Sequence, residues 1–277
     1  MNKTLSYKYV AHVSLIIFVL LSLLPFYLSI VTSLQPVDWQ EGLIPDLWPD
    51  SFSISNYWTA WEKGNFNRAL FNSLLIGFSV TFLHLFAAAM CGYAFAKKSF
   101  PGKNVIFTVL FLTVMIPPRI TIVPSFLMMN YFGWLNSFLP LIIPRIGDAL
   151  GIFLLKQFME TIPDSLIEAA RIDGCSELGI FLKIILPIAK PALATLAILT
   201  FQTSYNDFFW PYIYINEARL NTVQLALKAF DQFYNIGSRD LVINNAANIL
   251  ISLPLIIFFV IFSKQFVGNI SLSGLKG

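Results

Sequence analysis

The chain has 277 residues, of which 57% are hydrophobic, 16% are aromatic and only 12% are charged, and its formal net charge is +3. Soluble domains carry roughly 25% charged residues, so this composition excludes an ordinary water-soluble globular protein. The basic residues are few and dispersed, which argues against a nucleic-acid ligand.

The apolar residues form long uncharged runs, and a helix of about 20 such residues crosses the hydrocarbon core of a bilayer. Such a helix satisfies all its backbone hydrogen bonds within the segment. The sequence therefore predicts an all-α integral membrane protein with one transmembrane domain over residues 1–277. Six spans are expected in chain order, at about residues 10–34, 69–96, 105–127, 137–157, 191–212 and 242–266.

The third predicted span contains the pair Pro117 and Pro118. Each proline removes a backbone donor and clashes with the preceding turn, so we expect this span to kink or break there.

The loops between spans differ in charge. The short loop after the second span carries Lys97, Lys98 and Lys103, whereas the long loop over residues 35–68 carries several carboxylates. By the positive-inside rule, the short basic loop lies in the cytoplasm. With an even number of spans, both termini of this multi-pass protein are then cytoplasmic.

Residues 161–187, between the fourth and fifth predicted spans, have the pattern of two short helices. Pro163 and Asp164 suit the start of the first helix, Ser165 and Glu168 have capping-box spacing, and Gly174 supplies a stop. The segment is therefore expected to be an ordered unit on the cytoplasmic side.

The second short helix has apolar residues at helical spacing up to Pro187, namely Leu178, Phe181, Leu182 and Ile185. An apolar face outside the spans needs a surface to pack on, which predicts a protein partner. An amphipathic hairpin at the membrane interface without a partner is the alternative.

Seven positions of this segment reproduce a known motif at every spacing: Glu168, Ala169, Ala170, Gly174, Ile184, Leu186 and Pro187. They match E-A-A, three residues, G, nine residues, I-x-L-P, and so resemble the EAA motif of permeases of ATP-binding-cassette importers. The resemblance implies the type I importer permease fold, in which the first short helix is a coupling helix that docks on an ATPase subunit. It assigns ATPase coupling to these seven residues and to Asp173, with Glu168 facing a basic residue of the ATPase.

Four further runs, residues 115–118, 151–155, 206–209 and 275–277, are similar to the shorter permease of maltose-type sugar importers. The chain departs from that family at Tyr205, where tryptophan is common, and in its tail, residues 271–277. The resemblance implies a bacterial cytoplasmic membrane protein that works with a homologous second permease, two ATPase subunits, an extracellular solute-binding protein and a sugar. No cofactor or metal is expected in this chain: it lacks a G-x-x-x-x-G-K-[ST] loop, so Mg-ATP would be bound by the ATPase subunits.

Polar residues within the predicted spans are the candidates for a substrate path: Arg145, Asp148, Tyr205, Asn206, Asp207, Asn244 and Asn248. Arg145 and Asp148 are three residues apart, which predicts a closed ion pair on one helical face, with a substrate contact as the alternative. The polar and aromatic residues of the fifth span suit either a carbohydrate path or hydrogen bonds between helices. Asn244 and Asn248 share a face of the last span and are expected to meet that polar patch.

Three functions are consistent with the sequence. The first is the permease of a sugar importer, and the second is the permease of a glycerol-phosphate or polyamine importer with the same motif. The third is a membrane enzyme or receptor, for which no catalytic cluster and no sizeable cytoplasmic domain is evident.

Overall fold

A computed structural model describes residues 3–39, 42, 46–49, 51–233 and 238–273, and every regular element in this part of the chain is helical. The tail at residues 275–277 lies outside the described residues. Short 3-10 turns at Pro118–Thr121, Ile143–Arg145 and Ala218–Leu220 and a π-helix at Phe181–Ile185 connect the α-helices. The α-helices are α1 (Lys3–Ser33), α2 (Ser55–Lys63), α3 (Phe66–Lys97), α4 (Lys103–Val114), α5 (Ile122–Tyr131), α6 (Leu139–Ile142), α7 (Ala149–Glu160), α8 (Asp164–Ile172), α9 (Glu177–Ile180), α10 (Leu186–Ile188), α11 (Lys190–Tyr205), α12 (Phe209–Tyr214), α13 (Val223–Phe233) and α14 (Ser238–Ser273).

Three helical stretches of the described chain are long and apolar enough to cross a bilayer: Val10–Ser33, Phe66–Lys97 and Leu241–Phe262. Two bent pairs bring the number to at most five if each pair crosses as one span. The first pair joins α4 to Pro118–Tyr131 with a bend of 89°, and the second joins Glu177–Ile188 to α11 with a bend of 75°. The break that the sequence predicts at Pro117 is therefore present.

The fourth predicted span is not a continuous helix, which corrects the sequence-based expectation. It consists of α6, a 3-10 turn and α7, with Asp148 as the N-cap of α7. Pro144 and Gly147 lie at the interruption, and both residues disfavour a continuing α-helix. The fifth predicted span is shorter than expected, because α11 ends at Tyr205 and a separate short helix follows from Phe209.

The chain groups into two compact units. The first comprises Met1–Asn67 with Ala226–Leu253. Here Asn56, itself buried, donates to the carbonyls of Ser33 (2.9 Å) and Gln35 (2.8 Å), so α2 is tied to the end of α1. Most apolar side chains in the middle of α1 are exposed, as expected of a helix that faces lipid or another subunit.

The second unit comprises Arg68–Leu225 with Pro254–Gly277 and contains both candidate sites. Its largest apolar cluster joins α3 to α7 and to the 161–187 segment, with Leu155, Met159, Ile180 and Ile185 fully buried. Burying each such side chain is worth about 1.5–3 kcal/mol when the alternative is water. The 161–187 segment is thus packed on the helices rather than extended from them.

Helix α3 is held against its neighbours at glycines. A Cβ at Gly92 would lie 3.0 Å from the Cβ of Leu155, and one at Gly77 would lie 2.9 Å from the ring of Phe201. Small residues of this kind let the backbones of membrane helices approach closely. Helix α3 therefore packs closely against α7 at Gly92 and against α11 at Gly77.

Candidate functional site

The 161–187 segment, which we call the EAA segment, begins with α8. Pro163 precedes this helix as its N-cap, and no side chain caps it, so the expectation that Ser165 starts a capping box is wrong. The helix ends as the sequence predicts: Gly174 has φ = +79°, a conformation that costs about 1 kcal/mol or more for other residues. The amide of Cys175 donates to the carbonyl of Ala170 (2.9 Å) and completes the turn.

The two faces of α8 differ in solvent exposure. Ile167 and Ala170 are buried against the apolar cluster of the second unit. Ala170, to which the motif assigns ATPase coupling, therefore faces the chain's own interior. Exposed on that outward face are Leu166, Glu168, Ala169, Ile172 and Asp173, with Ile172 86% exposed.

The second half of the EAA segment also differs from the predicted apolar face. Ile180, Phe181 and Ile185 are buried, whereas Leu178 and Leu182 are exposed. The reason is the π-helix Phe181–Ile185, whose wider turn rotates the face away from regular α-helical spacing. Ile184 and Leu186 are partly buried against the cluster, Pro187 is exposed, and the helix continues one residue past that proline, to Ile188.

Two lysines hold the EAA segment to the end of α3. Lys97 donates to the carbonyl of Ile162 (2.5 Å) and to the carboxylate of Asp164 (2.8 Å). Lys98 pairs with Glu177, which also accepts from Arg171 Nε (2.9 Å). The hydrogen bond from Lys98 holds the pKa of the Glu177 carboxyl below its usual value, and Arg171 acts in the same direction. The stabilisation from this carboxylate is therefore present at neutral pH and is lost only as the pH falls through its lowered pKa.

A cavity of about 1020 Å³ lies within the second unit, where α7, α11 and the helix breaks meet. Hydroxyl and amide groups, two aromatic rings and three charged residues line it. The polar and aromatic members of this lining are His84, Thr113, Arg145, Asp148, Thr200, Gln202, Thr203, Asn206, Asp207, Phe209 and Trp210. A cavity of this size is large enough for a small sugar.

The predicted ion pair between Arg145 and Asp148 is wrong. Arg145 pairs instead with Asp207, and this carboxylate also accepts from the backbone amides of Phe209 (3.0 Å) and Trp210 (3.3 Å). Asp148 accepts from the amide of Leu150 (3.2 Å) and caps α7. The helix break at Gly147 separates Arg145 from Asp148, because the two no longer share one helix face.

The other residues predicted for a substrate path do not all lie at the cavity. Asn206 lines the cavity, and its side-chain oxygen accepts from Gln224 (3.3 Å). Tyr205 is buried, with its ring stacked 5.7 Å from that of Phe201. Asn244 and Asn248 belong to the first unit, where Asn244 donates to Asp231 (3.4 Å) and Asn248 donates to the carbonyl of Asn244 (2.9 Å).

The sequence did not single out His84 as part of a site. His84 is 1% exposed, and its Nδ1 lies 3.1 Å from the carbonyl of Ile146. Its Nε2 has no hydrogen-bond partner within the part of the chain that the structure describes. A Cβ on Gly151 would lie only 2.1 Å from that Nε2, so the glycine makes room for the ring. One histidine in an apolar run gives no sequence signal for such a role.

Among the residues that the structure describes, no group of three or more His, Cys, Asp or Glu side chains could hold a metal ion. Cys91 and Cys175 are both free thiols. The described residues thus form a polar cavity and, in α8, a helix with one exposed face.

Comparisons with known proteins agree with this geometry. The permease AraQ of the arabinooligosaccharide transport system of Bacillus subtilis is 32% identical over 261 residues, covering 93% of this chain and 92% of that one. The permease UgpE of the sn-glycerol-3-phosphate transport system of Yersinia enterocolitica is 34% identical over 227 residues, covering 79% and 80%.

A solved structure has the same fold. It is a chain from a bacterial ABC transporter involved in the import of the acidic polysaccharide alginate, with a TM-score of 0.83 and 24% identity over 96% of this chain and 98% of that one. The family model described as binding-protein-dependent transport system inner membrane component matches residues 85–272. That range includes the EAA segment and all of the cavity lining except Val80 and His84. The chain belongs to this family of inner-membrane transport components.

Proposed function

We propose that the chain is the membrane permease subunit of an ATP-driven importer that carries a sugar or oligosaccharide across the bacterial cytoplasmic membrane. Its similarity to a permease for arabinooligosaccharides supports this substrate class. ATP hydrolysis belongs to partner ATPase subunits, to which Mg-ATP binds, because this chain has no phosphate-binding loop of its own.

The observation that carries the proposal is the lining of the cavity. Thr200, Gln202, Thr203 and Asn206 offer hydroxyl and amide groups that can exchange hydrogen bonds with sugar hydroxyls. Trp210 offers an aromatic face, which suits the C–H surface of a pyranose or furanose ring. The combination favours a polar, uncharged substrate.

Glycerol phosphate is the second candidate, because UgpE permeases are also similar to this chain. An anionic substrate needs a cation with unsatisfied charge. Among the described residues, Arg145 is the one Lys or Arg side chain that lines the cavity, and it is already paired with Asp207. Asp148 adds a second carboxylate. Arg119, with its guanidinium 5.7 Å from the ring centroid of Phe209, is the cation that a phosphate would meet.

The proposed topology has six spans with both termini in the cytoplasm. It treats the broken helices α4–α5, α6–α7 and α11–α12 as spans, since irregular backbone at membrane depth is tolerated where it lines a cavity. The lysines at the junction of α3 and α4 and around the EAA segment support a cytoplasmic position for those loops, by the positive-inside rule.

The EAA segment is proposed as the coupling element. The exposed face of α8 offers apolar contact area and two carboxylates, Glu168 and Asp173, which suits a groove with a basic residue on an ATPase subunit. A homologous second permease would form the other half of the passage, and an extracellular binding protein would deliver the substrate.

Transport in reconstituted vesicles tests the proposal. The complex of both permeases and the ATPases is supplied with ATP, its binding protein and radiolabelled substrates. We expect ATP-dependent uptake of a neutral oligosaccharide and little uptake of sn-glycerol-3-phosphate. Uptake of glycerol phosphate by the wild type that is lost in Arg119→Gln would show that the substrate is glycerol phosphate rather than a sugar. Uptake that needs no ATP would contradict the proposal that the chain belongs to an ATP-driven importer.

A further inference from the structure

Lys97, the last residue of α3, carries the most buried ammonium group among the described ion pairs. Its side chain is 5% exposed, whereas that of its partner Asp164 is 74% exposed. The ammonium donates to the carbonyl of Ile162 (2.5 Å) and to Asp164 (2.8 Å), and the carbonyl of Glu160 lies 3.5 Å away. One side chain thus joins the end of α3 to the end of α7 and to the first residue of α8.

The contacts of the Lys97 ammonium with backbone carbonyls contribute more to stability than its contact with the Asp164 carboxylate. An ion pair with a largely exposed carboxylate contributes little to stability. The carbonyls near the end of α7 lack partners in their own helix and carry partial negative charge, so a buried cation there satisfies them. Removal of the ammonium would leave the part-buried carbonyl of Ile162 without this donor, which is the costly case for a buried polar group.

Lys98 attaches the second half of the EAA segment at the adjacent position. It pairs with Glu177, the first residue of α9, and its ammonium also lies 5.2 Å from the ring centroid of Tyr93. Both short helices of the EAA segment are therefore fixed by consecutive residues at one end of α3.

The other part of α3 reaches the cavity. The helix is continuous from Phe66 to Lys97, and Val80 and His84 on it line the cavity wall. The 13 positions from His84 to Lys97 correspond to about 20 Å of helix at 1.5 Å per residue. A rigid helix thus connects the anchor of the EAA segment with the wall of the passage.

We propose that Lys97 is a positioning residue that couples the EAA segment to α3, so that displacement of α8 by the ATPase moves the cavity wall at His84. The inference rests on the proposed function and deepens it. It assigns to the end of α3 the transmission of movement, whereas the exposed face of α8 provides the docking contact.

The test compares Lys97→Met with Lys103→Met in the complete complex. Both variants lose one lysine charge from the junction of α3 and α4. Among the described residues, however, the ammonium of Lys103 donates only to the carbonyl of Lys98 (2.9 Å). The measured quantities are retention of the ATPase subunits and the amount of substrate transported per ATP hydrolysed.

We expect Lys97→Met to retain the ATPase subunits while transport per ATP falls about tenfold, the size expected for losing a charged hydrogen bond. Lys97→Arg should recover part of the loss, and Lys103→Met should remain near wild type. Equal transport per ATP in Lys97→Met and Lys103→Met would overturn the inference.

A second measurement covers the case in which Lys97→Met does not insert. Spin labels at Ser99 and Ser165, with Cys91 and Cys175 changed to serine, report the distance between the loop and α8. The inference predicts a narrow distribution in the wild type and a broad one in Lys97→Gln, and identical distributions would contradict it. A wild-type complex that hydrolyses no ATP would instead contradict the proposed function.

Discussion

The EAA segment and the cavity are built in opposite ways. The motif residues of the EAA segment lie within residues 161–187, where one short helix presents an exposed face that includes Glu168 and Ala169. The cavity is assembled from distant parts of the chain, and its ion pair joins Arg145 to Asp207, 62 positions later. A docking surface can be encoded by local spacing, whereas a passage needs tertiary structure to bring its groups together.

The backbone differs between the two regions as well. The cavity lies where helices are interrupted, and Pro118, Gly147 and Asn206, each at an interruption, all line it. Irregular backbone within a membrane persists where it faces a polar interior, because lipid offers no hydrogen bonds. In the EAA segment the irregular backbone is the π-helix Phe181–Ile185, which changes the buried face without breaking the helix.

The largest expected effect comes from separating the ion pair of the cavity. Arg145→Met leaves the carboxylate of Asp207, which is only 12% exposed, without its cation. Breaking such a pair from one side should cost about 3 kcal/mol, and thermal unfolding of the purified complex measures the loss.

The double variant Arg145→Met/Asp207→Asn should recover more than half of that loss, since the amide oxygen can still accept from the α12 amides. Arg145→Met/Asp148→Asn is the matched control and should recover nothing. If Arg145→Met/Asp148→Asn regained stability and Arg145→Met/Asp207→Asn did not, Arg145 would pair with Asp148, as the sequence spacing predicts.

An intermediate effect is expected at the glycine beside His84. Gly151→Ala would place a methyl group 2.1 Å from the imidazole, and overpacking of this kind costs about 1–3 kcal/mol. Gly147→Ala is the control, because a Cβ there meets nothing within 4 Å. Thermal unfolding should separate the two variants, and equal midpoints would mean that the contact at His84 is not tight.

The helical class, the break at Pro117, the start of α8 at Asp164 and its stop at Gly174 could all be predicted from the sequence. Each depends on a proline, a glycine or a periodicity that acts within a few residues. The partner of Arg145 and the role of His84 could not be predicted, because both depend on contacts between helices. The sequence also could not predict that Ala170 is buried while Ala169 is exposed, because that depends on which face of α8 packs against the other helices.

The smallest effect should come from Gly174. Its side-chain space is open, so only the positive φ opposes substitution, and Gly174→Ala should destabilise the end of α8 by about 1 kcal/mol. Gly174→Asn should cost less, because asparagine tolerates the left-handed conformation better than alanine. Hydrogen exchange at the amide of Cys175 measures the stability of this end of the helix. Faster exchange in Gly174→Asn than in Gly174→Ala would contradict the claim that the positive φ determines the cost.

The most direct test of the account asks whether docking and passage reside in separate regions. Glu168→Lys, on the exposed face of α8, and Asn206→Ala, in the cavity, are introduced separately into the complete complex. The account predicts that Glu168→Lys inserts normally but loses the ATPase subunits on purification, whereas Asn206→Ala keeps them and transports its sugar more slowly. Full ATPase retention with wild-type transport in Glu168→Lys would contradict it.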